Sequence, residues 1–342
     1  MAQISEKTRL GILIVKPERQ NMNTSHPYWN PVPVLERTVF DILNRNILQL
    51  QNSNADSLPN LRPAHTLLLG SDYSGESSHS PYMVYSFLLV SLDAWQGWEL
   101  QRIAIRDAFF SDSRRMSFKR LNDIQRQKAL VPLLQAADAL EGLSFTVAMN
   151  KGSESIFPSP PLDLNNPDFT AFAKWKRRIL EKAFLSTHFL SFLLSGLCRP
   201  GQDVLWFTDE DSIAANDQRV IELTQLFGWI SSLYLSFSMG HCRCGTARCD
   251  NGTMQIEDFL SVPDLIAGAI AEQLDVKRND PKELSDVFWL NRPDQTNKSN
   301  IINWWLSDST KPLKRLLCII DPSKDGRRHL VSWYHFHDRG EA

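Results

Sequence analysis

The chain has 342 residues, 42% of them apolar, and a formal net charge of −2. That length and apolar content suffice for one large core with smaller appended parts. The near-neutral charge excludes strong unspecific attraction to nucleic acid through a bulk basic field, and leaves room only for a local basic face.

Five cysteines are few for this length and odd in number, and three of them fall at Cys242, Cys244 and Cys249. Disulfide-stapled secreted proteins do not space their bridges this way, so a reducing, cytoplasmic setting is expected. The opening residues Met1 to Glu6 lack a basic end followed by an apolar run, which argues against a signal peptide. The most apolar stretch, Phe184 to Leu197, is broken by Ser186, Thr187, His188, Ser191 and Ser195. It reads as a core helix rather than a membrane span, and no membrane partner is expected.

In chain order, residues 8–16 predict a short strand, followed by a connection through Pro27, Pro31 and Pro33. Leu35, Val39, Leu43 and Ile47 recur every fourth residue and predict an amphipathic helix over 35–50. With the polar link 53–63, residues 1–63 form an amino-terminal extension. A main domain over 64–274 opens with the apolar run Thr66 to Leu69, which ends in Gly70-Ser71-Asp72. Tyr73 to Glu76 turns the chain, and the run from Tyr82 to Leu92 reads as an antiparallel partner, because so short a turn leaves no room for a helical crossover. That pairing would separate a mixed sheet from an all-parallel one. A weaker third strand is expected over Glu99–Ile105.

Further on, 123–140 predicts a helix, 143–149 a strand and 169–197 one long or broken helix. Lys174, Lys176, Arg177 and Arg178 crowd near the start of that helix. Val204 to Thr208 is apolar on both faces and reads as an interior strand. A helix over 217–229, a strand over 232–239 and a helix over 263–274 complete the domain, and 275–342 is a carboxy-terminal extension packed on it. Hairpin strands followed by strands separated by helices give an α/β protein with a mixed sheet flanked by helices.

Three acidic positions stand at predicted element boundaries. Asp72 ends the first core strand, Asp209 ends the interior strand with Glu210 and Asp211 behind it, and Asp264 lies in the first turn of its helix. Such positions can converge without burying charge inside the sheet, and two divalent ions about 3.5–4 Å apart need several carboxylate oxygens. Each also has a plainer reading: an Asx-turn at Asp72, a helix cap or solvated loop charge at Asp209 or Asp211, and a near capping box between Ser261 and Asp264.

The order of these fragments resembles a widespread, largely uncharacterised prokaryotic family with a predicted RNase H-like fold. Its opening Asp-Glu-Ser-Gly is matched by Asp72-Tyr73-Ser74-Gly75, its Glu-x-Lys segment by Ser117-Phe118-Lys119, and its Asp-Glu by Asp209-Glu210. Its closing Gln-x-Ala-Asp-x-x-Ala-Gly-Ala is matched by the segment from Ser261 through Asp264 and Gly268 to Ala269. The resemblance spans roughly 66–274, and Tyr73, Ser117, Ser261 and Pro263 depart from its pattern. It implies an RNase H-like nuclease using Mg²⁺ or Mn²⁺ to cleave DNA or RNA, in a prokaryotic defence or mobile-element system. On that reading Asp72, Asp209 and Asp264 are metal ligands, Asp211 or Glu210 completes the shell, and Lys119 contacts a phosphate. The alternative it leaves is a catalytically decayed scaffold or nucleic-acid-binding subunit that works with a protein partner or a second copy. The basic runs Arg114 to Arg120 and Lys174 to Arg178 would form the backbone-binding face.

His241, Cys242, Cys244 and Cys249 place one imidazole and three thiols within nine residues, a soft set suited to structural Zn²⁺. The single residue between Cys242 and Cys244 is tighter than structural zinc sites use, and ordinary reduced thiols are the competing reading. No P-loop, dinucleotide glycine run or HExxH helix occurs.

Overall fold

The first two apolar runs start the sheet. In a computed structural model that describes residues 28–34, 38–110, 112–153, 156–157, 167–278, 287–323 and 328–338, helix α1 (Val39–Ser53) precedes strand β1 (Thr66–Ser74). β2 (Tyr82–Ser91) returns antiparallel to β1, with Leu67 opposite Ser91 and Ser74 opposite Val84. Helices α2 (Gln96–Phe109) and α3 (Ile124–Ala137) follow, and β3 (Gly142–Asn150) then pairs antiparallel with β2. After α4 (Arg177–Leu197), β4 (Asp203–Thr208) inserts parallel to β1 on its free edge. α5 (Asp217–Tyr234) leads to β5 (Cys242–Thr246), which pairs parallel with β4. The chain thus forms the expected mixed sheet flanked by helices: an antiparallel meander continued by parallel strands reached through helices.

Helix α6 (Gln255–Arg278) crosses one face of the sheet. The remaining segments are β6 (Val287–Leu290), α7 (Asn297–Ser307), β7 (Leu313–Pro322), β8 (His329–Trp333) and β9 (His335–Asp338). The carboxy-terminal region extends the main sheet itself. β7 joins parallel to β3, β8 flanks it, and the full order is β5-β4-β1-β2-β3-β7-β8. The strand expected at 8–16 lies outside the described residues.

Side-chain alternation along β1 divides the core in two. Leu67 and Leu69 pack with Trp206 and Phe145 against α1, α4 and α5, whereas Leu68 packs with Leu88 against α2, α3 and α6. Gly70 faces α6, and a Cβ there would stand 2.7 Å from the Phe259 ring, so the missing side chain lets the helix lie close on β1.

Three expectations are corrected. Residues 99–105 are helical, because Trp98, Arg102 and Ile105 recur at i, i+4 and i+7 and bury one face of α2. The strand expected at 232–239 is absent: α5 continues to Tyr234, burying Leu223, Phe227 and Ile230 at helical spacing, and the edge strand is the cysteine-bearing 242–246 instead. α6 begins at Gln255, eight residues before Pro263, because Asp250 caps it by accepting the backbone N–H groups of Ile256 and Glu257, both at 2.8 Å.

Buried charge anchors the start of α6. Asp258, 2% exposed, accepts from Arg102 Nη1 at 3.1 Å and from Arg106 Nε at 2.6 Å, and Glu99 pairs with Arg102 from the other side. Removing the central carboxylate would leave the Arg106 guanidinium without its counter-ion and Arg102 with Glu99 alone. Asp258→Ala is expected to cost about 3–5 kcal/mol, measured by equilibrium denaturation, while the exposed-pair variant Arg45→Ala costs under about 1 kcal/mol.

Candidate active site

The β1–β4 register ends at Ser71 opposite Thr208, so the next residues along the two parallel strands are Asp72 and Asp209. Asp72 is still within β1, paired with Ser86 across the β2 ladder, and its backbone is therefore held by the sheet rather than by an Asx-turn. Following Leu68 and Gly70, its side chain points to the α6 face. There the Asp264 carboxyl comes within hydrogen-bonding reach of it. Asp264 lies in the middle of α6, not in its first turn, which removes the capping role expected from the sequence.

Asp264 is held from outside the helix. Its Oδ2 accepts the Phe118 backbone N–H at 2.7 Å, and the Ser117 hydroxyl also bonds to the carboxyl. One turn further along α6, Gly268 makes room for the Phe118 ring: a Cβ there would stand 2.2 Å from Phe118 Cγ. The spacing Asp264-x-x-x-Gly268 thus docks one short segment, a carboxylate for its backbone and a gap for its aromatic ring. Lys298 closes this contact by donating to the Phe118 carbonyl at 3.0 Å and standing 3.9 Å over the ring.

The electrostatics of the pair are adverse. Burial, then the charge of Asp264, then that of Asp209 push the Asp72 carboxyl well above the ordinary carboxylate range. Burial also raises Asp264, opposed by the Phe118 N–H. Asp209 is exposed and accepts the N–H of Glu210 at 2.8 Å. A residue that the sequence reading missed joins this group: Glu257, seven residues before Asp264 and so on the same face about 10 Å along α6. Burial pushes it up to about 7, against the pull of Arg115 at 2.6 Å and with added repulsion from Asp209, Asp250 and Glu210. The i, i+7 relation to Asp264 would have disclosed it once the helix start was placed at 255.

The other expected site residues stand apart from the pair. Lys119 is exposed on the 3-10 turn Phe118–Arg120, and Glu210 is exposed with Arg248 3.9 Å away. Asp211 turns to the α4 face and pairs with Lys182, which also binds Glu76 at 2.7 Å. Tyr73, at the position where the resembled motif has Glu, points to that same face; its hydroxyl meets Ser71 Oγ at 2.9 Å and Lys182 stands 4.8 Å over its ring.

The four expected zinc donors do not converge. Cys242 and Cys244 face the α4–α5 core, where burial pushes the Cys242 thiol up to about 11 and Cys244 higher. Cys249 is exposed on the Phe207 side of Gly245, and His241 pairs with Asp203 at 3.2 Å. Among the described residues, no three His, Cys, Asp or Glu side chains are grouped closely enough to hold an ion by themselves.

No helix among the described residues is long and apolar enough to cross a membrane. No family model and no curated protein matches the sequence. Among solved structures, the chain is similar to the ribonuclease H2 from Pyrococcus horikoshii OT3, with a TM-score of 0.34, 15% identity, and coverage of 71% of this chain and 86% of that one.

Two predictions follow from this geometry. A methyl group at Gly268 must displace the Phe118 ring, so Gly268→Ala is expected to cost about 1–3 kcal/mol, read by denaturant unfolding. Asp72 titrates higher in the folded than in the unfolded chain, so the folded state holds the extra proton and loses stability as pH rises through that interval. Asp72→Asn removes the penalty. In EDTA its melting temperature should exceed wild type by a few degrees at pH 8, with the gap shrinking toward pH 4. The variant-minus-wild-type difference is the proper measure, because buried His188, held down to about 3, gives an opposite slope below pH 6.5.

Proposed function

We propose that this chain is a divalent-cation-dependent nuclease, with the cation held at Asp72 and Asp264 and Asp209 completing the site. The observation that carries this reading is the contact between the Asp72 and Asp264 carboxyls at the end of the central parallel strands. Two half-buried like charges in contact are tolerable only if one is protonated or a cation lies between them.

The donor set fits a hard cation. Mg²⁺ binds through one or two carboxylates and keeps its remaining positions for water and substrate phosphate, so an all-protein cage is not required. Phe118 N–H and Ser117 occupy the outer side of Asp264, which fixes the carboxyl plane and leaves its other side turned to Asp72. Asp209, exposed at the neighbouring strand end, adds its negative charge to the pair from the solvent side. Glu257 and Arg115 border it along α6, and Lys119 offers a point charge to a phosphate oxygen at the rim. A bound cation would supply Lewis-acid polarisation of the phosphodiester and stabilise charge on the leaving oxygen.

The test is Mn²⁺ and Mg²⁺ calorimetry on wild type, Asp72→Asn, Asp264→Asn and Asp209→Asn, followed by cleavage of labelled DNA and RNA. Asp72→Asn and Asp264→Asn should weaken cation binding and lower cleavage by at least about a hundredfold, while both remain folded. Asp209→Asn should do so less severely. Cleavage by all three variants at the wild-type rate would sink the assignment.

A further inference from the structure

Cations gather on the opposite face of the sheet at the same end. A cavity of about 830 Å³ lies there between α4 and the ends of β2 and β3. Its floor is apolar, with Met83, Met149, Ile179 and Leu185, and its rim carries Lys151, Arg177, Arg178 and Lys182. The two carboxylates that share the rim are already engaged: Glu76 binds Lys182 at 2.7 Å and Glu181 binds Arg177 at 2.8 Å. Lys182 takes Asp211 as well.

Lys151 and Arg178 make no direct ion pair among the described residues, although the Glu76 charge acts on both. Lys151 Nζ donates to the Ser77 carbonyl at 2.6 Å and Arg178 Nη2 to the Glu76 carbonyl at 2.5 Å, both neutral oxygens of one turn. The two cations also repel: burial first, then the Arg178 charge, hold the Lys151 ammonium below its ordinary value, against the weaker pull of Asp275 and Glu76. The Ser153 hydroxyl lines the same cavity, buried and without a hydrogen-bond partner among the described residues.

We propose that this cavity binds a nucleotide, with the phosphate between Lys151 and Arg178 and the base against the apolar floor. A phosphate dianion relieves the repulsion of the two cations and accepts charge-assisted hydrogen bonds from both. Ser153 is placed to add a neutral donor. A volume of this size, apolar below and polar at a few points, suits a ligand of nucleotide dimensions. Position agrees, since open α/β sheets take ligands at the carboxyl ends of their parallel strands, and the cavity flanks that end of β1. The nucleotide can be a free monophosphate or the 5′-phosphorylated end of a strand that crosses the 75–81 turn toward Asp72. Only the second source rests on the nuclease reading.

The experiment is calorimetric titration in EDTA with adenosine 5′-monophosphate, a 5′-phosphorylated trideoxynucleotide and inorganic phosphate. Proteins are wild type, the double variant Lys151→Gln/Arg178→Gln and the double variant Asp72→Asn/Asp264→Asn. Wild type should bind the nucleotide, and Lys151→Gln/Arg178→Gln should weaken it by at least about tenfold at an unchanged melting temperature. Asp72→Asn/Asp264→Asn should bind as wild type does, which separates this site from the cation site whether or not the chain cleaves nucleic acid. Binding of the trinucleotide but not the mononucleotide identifies a strand end, and binding of both identifies a free nucleotide. Failure of wild type to bind either, or equal binding by Lys151→Gln/Arg178→Gln, overturns the proposal. Phosphate binding as tightly as the nucleotide overturns the role of the apolar floor.

Discussion

The docking of α6 on β1 is the contact on which the rest of the arrangement depends, because it forces two carboxylates together against their repulsion. Like charges in a partly buried setting separate unless other contacts hold them, and three such contacts are present. Phe259 lies on Gly70, Phe118 enters the gap at Gly268, and Asp258 is clamped by Arg102 and Arg106. Apolar packing and a buried ion network thus offset an electrostatic cost concentrated at Asp72 and Asp264. Stability given up at one point is thus recovered around it.

The two faces of the sheet treat charge in opposite ways. On the α6 face, Asp72, Asp264, Asp209 and Glu257 accumulate negative charge with Arg115 as the near cation. On the α4 face, Lys182, only 6% exposed, neutralises Asp211 and Glu76, the residues that follow the ends of β4 and β1. This draws Asp211 away from the acidic side and ties down both strand ends from beneath. Tyr73, under the Lys182 ammonium, belongs to that brace and not to the acidic group. Strand alternation alone sends Asp72 and its immediate neighbour to opposite faces, so the residue at position 73 could not have served the Asp72 cluster by its side chain.

The fold was legible from the sequence where its signal is local and strong. The apolar runs at 66–69 and 82–92, separated by a turn too short for a helix, set an antiparallel pair, and the two-sided apolar run at 204–208 set an interior strand. The misread segments are those where composition competed with periodicity. Residues 99–105 carry enough branched side chains to suggest a strand, although Trp98, Arg102 and Ile105 follow a helical period. The cysteines of 242–249 suggest ligands by composition, while the sheet uses 242–246 as an edge strand whose alternation sends Cys242 and Cys244 inward and leaves Cys249 on the turn beyond.

At the site, the acidic residues at the ends of β1 and β4 are legible from local pattern, because strand ends are marked by where apolar runs stop. Asp264 was marked by its place in a short motif. What Asp264 does is set by long-range packing: it lies mid-helix, is oriented by Ser117 and the Phe118 N–H, and meets Asp72 through a contact 192 positions away in the chain. The same packing also decides that Glu257 joins the acidic face and Asp211 leaves it, since a carboxylate's partner is set by which side of a strand or helix it leaves. That choice depends on register and helix phase, which are fixed by long-range packing rather than by the residues next to it in the chain.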